Sequence, residues 1–283
     1  MSERIRTAVG KTCIMLVALC LLFCTAALAD EADAGKALRY IRAYPDFFIA
    51  YRDGFLLTRD GDKILFNDQK VKEYDRLITD PSVADNVFDP EDAFHWEYPE
   101  GTPVATEENP PLGDPGRIRP LSIFRHMYGE TRSQRKGLMR TVIWNGPRGT
   151  ERHAIKMTTV NGVDLALERV LREIMALPED RKEALAGIVF PASGYSGYHD
   201  RSVRGYPKRT SGHAYGIAVD INWDQDYFIG SHPKEPYRYR NNLPQFLVDI
   251  FERNGFIWGG RWHSYDAMHF EYRPELLPAH NPG

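Results

Sequence analysis

Two short stretches of this chain hold side chains that could do chemistry together. Ser211-Gly212-His213-Ala214-Tyr215-Gly216-Ile217-Ala218-Val219-Asp220 puts an imidazole just before a short apolar run and a carboxylate at its far end. Asp266-Ala267-Met268-His269 adds a second imidazole at the start of another run, with an acid three residues ahead of it. An Asp that ends a short apolar strand needs a partner, because a buried charge left alone is costly. A metal ion is one such partner. Two imidazole nitrogens and one carboxylate oxygen make a three-ligand set suited to catalytic zinc, with the fourth position open to water. Zinc would lower the pKa of that water from 15.7 to ~7 and polarise a carbonyl. A carboxylate must then take the water's proton and pass it to a leaving amine, and Asp266 is the candidate. Spacing alone leaves solvated or structural histidines open, since H-x6-D and D-x2-H are weak signals. Neither H-E-x-x-H nor C-x-x-C occurs.

The elements that must position these groups follow from periodicity. His213 precedes a strand expected over 216–222, and His269-Phe270-Glu271-Tyr272 alternates as a second strand. On that strand Glu271 shares a face with His269, so it could orient the ligand or serve as an alternative base. Leu167, Val170, Leu171, Ile174 and Leu177 define one face of a helix over 163–177. A second amphipathic helix covers 244–254 and stops at Gly255. Upstream, the pattern predicts a helix over 34–44 and a hairpin of 55–58 with 63–66 around Asp60-Gly61-Asp62. A short helix over 71–79, strands at 141–144, 154–157 and 188–190, and a long ordered wrap over 80–120 complete the reading. The wrap carries Phe94, Trp96 and Tyr98, more aromatics than a free linker holds. The fold class is α+β, with a small antiparallel sheet and flanking helices.

The first 29 residues differ from the rest. Arg4, Arg6 and Lys11 precede an apolar run from Cys13 to Ala29 that closes on Ala27-Leu28-Ala29. This pattern predicts a cleaved secretory signal peptide, with an uncleaved anchor or a lipoprotein site at Cys24 as alternatives. All three cysteines lie inside it, so the exported chain would form no disulfide. The chain of 283 residues is 42% hydrophobic, which suffices for a packed core. Its 36 basic and 39 acidic residues include no dense basic run, which argues against nucleic acid as a partner. No segment beyond the leader is apolar enough for membrane insertion. The expected organisation is a signal peptide over 1–29, an N-terminal region over 30–149 packed on the core, and a catalytic domain over 150–283.

Ser211-x-His213-x-x-Gly216-x-Ala218-x-Asp220 with Asp266-x-x-His269 resembles the zinc signature of the D-alanyl-D-alanine carboxypeptidases and L-alanyl-D-glutamate endopeptidases, whose core is shared with hedgehog-type domains. Gly255-Phe256-Ile257-Trp258-Gly259-Gly260-Arg261-Trp262 is similar to the run that leads into that family's last motif. A looser similarity, including Asp114-Pro115-Gly116-Arg117-Ile118, reaches back to about residue 40. The resemblance implies one zinc per chain on His213, Asp220 and His269, and Asp266 as general base. It also implies an arginine upstream of the first ligand that holds substrate or oxyanion, best matched by Arg201 with Arg204 as the alternative. The implied substrates are peptidoglycan stem peptides, cut in the periplasm or cell envelope. D-alanyl-D-alanine carboxypeptidase activity is the first expectation. L-alanyl-D-glutamate endopeptidase activity, or a non-catalytic zinc-binding module, is the alternative. His263 is expected at the rim, His199 could line the cleft, and Trp258 and Trp262 are expected to pack or to form its wall.

Overall fold

The computed structural model describes residues 31–147, 149–150, 152–185, 197–221, 228–231 and 234–280. The leader and the strand expected at 188–190 lie outside these residues. Residues 31–43 are helical (α1). There follow strands β1 (Phe48–Arg52), β2 (Phe55–Thr58) and β3 (Lys63–Leu65), then helices α2 (Tyr74–Thr79), α3 (Leu121–Tyr128) and α4 (Arg132–Gly137). Strands β4 (Met139–Trp144) and β5 (His153–Thr158) precede α5 (Val163–Met175) and α6 (Glu179–Leu185). The C-terminal part holds β6 (Ser202–Val203), β7 (Tyr206–Thr210), α7 (Gly212–Tyr215), β8 (Ala218–Asp220), α8 (Gln245–Glu252), β9 (Phe256–Trp258) and β10 (His269–Tyr272). Every strand pairing among the described residues is antiparallel. This agrees with a mixed fold of small antiparallel sheets and helices.

The sheet that matters has the order β8-β10-β9. Its register pairs His269 with Asp220, Phe270 with Val219 and Glu271 with Ala218. Because side chains alternate across a strand, His269, Glu271, Asp220 and Ala218 share one face. Phe270 and Val219 go to the other face. There Phe270 stacks on Phe251 of α8, with ring centroids 3.8 Å apart. Val163, Ala166, Leu167, Val170 and Ile174 of α5 join the same core, as the helical spacing requires. Fully burying a side chain such as Phe270 stabilises the fold by roughly 1.5–3 kcal/mol, so the core face fixes the register that sets the polar face.

The N-terminal region adds to this core. Tyr40, Tyr44, Phe48, Leu56 and Phe66 are all buried in it. The Asp60-Gly61-Asp62 turn behaves as turn chemistry, with the Thr58 hydroxyl donating to Asp60 Oδ1 at 2.5 Å. Segment 80–120 is a wrap held by polar contacts. The Tyr98 hydroxyl donates to Glu252 Oε1 at 2.7 Å, and Gly101 N donates to Glu252 Oε2 at 3.1 Å. Arg261 Nε donates to the same Glu252 Oε1 at 2.6 Å, and its Nη1 donates to Thr102 Oγ1 at 2.7 Å. Arg209 of β7 is buried and donates to the carbonyls of Leu77 and Ile78, while Thr210 N donates to Asp85 Oδ2 at 2.7 Å. The wrap is therefore fastened at Asp85 and again over 98–102, while Arg209 holds the end of α2 ahead of it.

One expectation shifts. The segment before β8 is not simply the lead-in to a strand, because residues 212–215 form a single helical turn and the strand begins only at Ala218. The strand β1, absent from the sequence reading, pairs with β2 and extends the predicted hairpin to three strands. No helix among the described residues is long and apolar enough to cross a membrane.

The Glu252–Arg261 pair is nearly fully buried, at 3% side-chain exposure for each partner. Glu252→Ala would leave the guanidinium buried without its counter-ion. The expected loss of stability is about 3–5 kcal/mol, read from the midpoint of a urea denaturation curve.

Candidate active site

The first motif is explained by its local geometry. The Ser211 hydroxyl caps α7, accepting from His213 N at 3.3 Å, and Gly216 ends the turn at φ 71°, a left-handed conformation that favours glycine. Gly212 cannot carry a side chain, because a Cβ there would lie 2.5 Å from Glu271 Oε2. The turn thus aims His213 at the polar face of the sheet, where Asp220 and His269 already sit opposite each other.

His213, Asp220 and His269 converge and are all buried, with their ligand atoms within 4.8 Å of one another. Asp220 Oδ1 lies 3.1 Å from His213 Nε2 and 2.9 Å from His269 Nδ1. The other nitrogen of each ring is engaged elsewhere. His213 Nδ1 is 2.8 Å from the Gly197 carbonyl oxygen, which can only accept, so a proton belongs on Nδ1. His269 Nε2 is 3.2 Å from Glu271 Oε2, and there too the proton belongs on the ring. Neutral imidazoles with those tautomers turn two lone pairs toward one carboxylate oxygen. That arrangement repels unless a cation or extra protons lie among the three atoms.

The electrostatics say the same. Burial disfavours charge on His269, but its hydrogen bonds to Asp220 and Glu271 raise it to about 9. Burial would raise Asp220, but the charges and hydrogen bonds of His213 and His269 outweigh it and hold the carboxyl well below its ordinary range. The pocket is thus organised to stabilise positive charge. A tetrahedral zinc with N and O ligands at about 2.0–2.1 Å separates its donors by ~3.3 Å, close to the spacings found here. The donor set, two imidazoles and one carboxylate with the far nitrogens hydrogen-bonded, therefore fits zinc.

Glu271 is fixed in turn. Arg119 grips it with Nε at 2.8 Å from Oε1 and Nη2 at 2.5 Å from Oε2, and Arg273 Nη1 adds a contact at 3.4 Å. Burial opposes its charge, yet Arg119 and His269 hold the carboxyl well below its usual range. Fully buried and outside the cavity lining, Glu271 is placed to orient His269 rather than to meet a substrate.

A cavity of about 480 Å³ opens beside these groups. Asp266 lines it, with Oδ1 buried and without a hydrogen-bond partner among the described residues. The backbone pins the residue: Asp266 N donates to Gly259 O at 3.0 Å, and His269 N donates to Asp266 O at 3.0 Å. Burial raises the Asp266 carboxyl above its ordinary value, with His269 and Arg117 opposing the shift and Asp220 adding to it. A raised carboxyl is a better proton acceptor than an ordinary one.

Arg201 and Arg204 both line the cavity, from the hairpin of β6 and β7, and both are exposed. His199 and Trp262 line it as well, whereas Trp258 is a buried core residue whose Nε1 donates to Ala267 O at 2.8 Å. His263 lies off the cavity, exposed and stacked on Tyr237 at 4.6 Å. Ile78, Arg117 and Arg119 were not foreseen as part of the site, yet the wrap and α2 bring all three to the cavity. Only the Asp114-to-Ile118 run had hinted at this segment.

Comparison with known families bears out the resemblance. Residues 204–272 match a family model described as D-alanyl-D-alanine carboxypeptidase, which supports a peptidase. The matched segment holds His213, Asp220, Asp266 and His269, but not Arg201, Arg119 or Arg117. No curated protein and no solved structure matches the chain.

His213→Ala is expected to abolish tight zinc binding. Glu271→Gln should weaken it about 10- to 100-fold by freeing the His269 ring. Competition with a chromophoric chelator measures both, and Glu271→Gln binding as tightly as the parent would refute the orienting role.

Proposed function

We propose that the protein is an exported zinc peptidase that hydrolyses an amide bond in peptidoglycan stem peptides, with D-alanyl-D-alanine carboxypeptidase activity as the first choice. The single observation that carries this reading is the cavity itself: three converging ligand groups on one wall and, on the same lining, the half-buried Asp266, whose Oδ1 is buried without a hydrogen-bond partner among the described residues. The hedgehog-type core, the leader over 1–29 and the catalytic domain over 150–283, supported by the region 30–149, belong to the same proposal.

His213, Asp220 and His269 would hold one zinc, whose contribution is to acidify water and polarise the scissile carbonyl. Asp266 accepts the proton of the attacking water on its free oxygen and returns it to the leaving amine, which then departs as a neutral group. Arg201 offers a guanidinium from the hairpin to a substrate carboxylate or to the developing oxyanion. Glu271 and Arg119 hold the His269 ring against rotation during these proton transfers. A binding-only module would have no use for Asp266, since a carboxylate oxygen buried without a partner is a cost to folding.

Digestion of purified peptidoglycan, read by mass spectrometry, tests the reading. Loss of one terminal alanine marks a carboxypeptidase, and cleavage between the first two stem residues marks an endopeptidase. Dialysis against a chelator should stop the reaction and zinc should restore it. Asp266→Asn should lower kcat about 10²- to 10⁴-fold while zinc content stays at one per chain. Full activity in that variant would sink the assignment of the base.

A further inference from the structure

Among the described residues five arginines line the cavity: Arg117, Arg119, Arg201, Arg204 and Arg209. Two are already committed. Arg119 is locked to Glu271, and Arg209 is spent on the carbonyls of Leu77 and Ile78. Among the described residues no ion pair engages Arg117, Arg201 or Arg204. Of these three, Arg201 and Arg204 are exposed, and Arg117 is half-buried.

Arg117 is also the one that is held in place. Its guanidinium lies over the Trp262 ring, 4.0 Å from the centroid. It donates through Nη2 to the Ser264 carbonyl. Ser264 is itself fixed, because its N donates to Asp114 Oδ1 at 2.8 Å and its hydroxyl to Asp114 Oδ2 at 3.3 Å. Gly116 adopts φ 89°, and a Cβ there would meet Ile257 Cδ1 at 2.2 Å, so the backbone before Arg117 is also fitted closely. A stacked, hydrogen-bonded guanidinium loses little further freedom on binding, which makes it a stronger anion site than a mobile one.

The cavity needs such a group. Among the described residues its acidic lining residues are Asp220 and Asp266. A substrate carboxylate entering beside Asp266 would meet its negative charge, and a fixed cation that bears on Asp266 offsets that repulsion. A guanidinium matches a carboxylate in shape as well as charge.

We infer that Arg117, supplied by the wrap and outside the segment that matches the family, binds the free C-terminal carboxylate of the peptide, leaving Arg201 to the oxyanion. This rests on the peptidase reading and refines it, since a fixed carboxylate site selects the last residue of a chain and so favours a carboxypeptidase over an endopeptidase.

The test compares two peptides ending in D-Ala-D-Ala that differ only in a free or amidated C-terminus. For the zinc-loaded protein, kcat/KM should favour the free acid about 10- to 100-fold, the size expected for a charge-assisted, two-point hydrogen bond. Arg117→Gln should bring the ratio near one, Arg117→Lys should keep part of it, and Arg201→Gln should lower both substrates in parallel. Calorimetry in an Asp266→Asn background reads the same preference as binding, without turnover. Equal cleavage and equal binding of acid and amide by the parent overturn the inference while the hydrolytic reading stands. So does a ratio lost in Arg201→Gln and kept in Arg117→Gln. If neither peptide is cleaved but acid-selective binding persists and vanishes in Arg117→Gln, hydrolysis of this substrate fails and the carboxylate site stands.

Discussion

Two imidazole nitrogens and one carboxylate oxygen are pressed together at 2.9 and 3.1 Å, and each imidazole has its other nitrogen tied up. Such a cluster is tolerable only around positive charge. Much of the fold serves to impose it. The β8-β10 register sets Asp220 against His269, the capped turn α7 brings His213 down onto them, and the Phe270–Phe251 stack on the opposite face keeps the register from slipping. A slip of one residue would send His269 into the apolar core and Phe270 into the cavity.

Behind the ligands lies a chain of charges that alternate in sign. Asp220 and Glu271 face His269, Arg119 and Arg273 face Glu271, and Arg273 also pairs with Glu275. Glu275 in turn accepts from the Tyr44 hydroxyl at 2.5 Å, just past the end of α1. Buried pairs of this kind add little net stability compared with apolar packing, but removing one member leaves its neighbour uncompensated. The series therefore gives the His269 ring one orientation rather than a strong fold.

Much of the site was legible in the sequence. Residues near one another along the chain carry their geometry locally: Ser211 caps, Gly216 stops, and the period of two in His269-Phe270-Glu271 puts His269 and Glu271 on one face. What stayed hidden depends on distant contacts. Arg119 meets Glu271 across 152 residues, and no local pattern announces such a pair. The turn α7 is only four residues long, too short for any periodicity, so it could be taken as the approach to a strand. β1 was missed because its burial does not alternate cleanly along Phe48–Arg52. The helices α5 and α8 came within a few residues of their predicted ends, since a long apolar stripe survives fraying.

The way the wrap is fastened has a consequence for how such a cleft can diversify. The wall that carries His213, Asp220 and His269 comes from one stretch of chain and Arg117 and Arg119 from another, fastened to it through Asp85 and Glu252. An exchange at Arg117 can therefore reshape what fits, provided that Arg119, which grips Glu271 behind His269, is kept. A graft of a foreign loop there should move preference and leave the ligand groups seated only where Arg119 is retained.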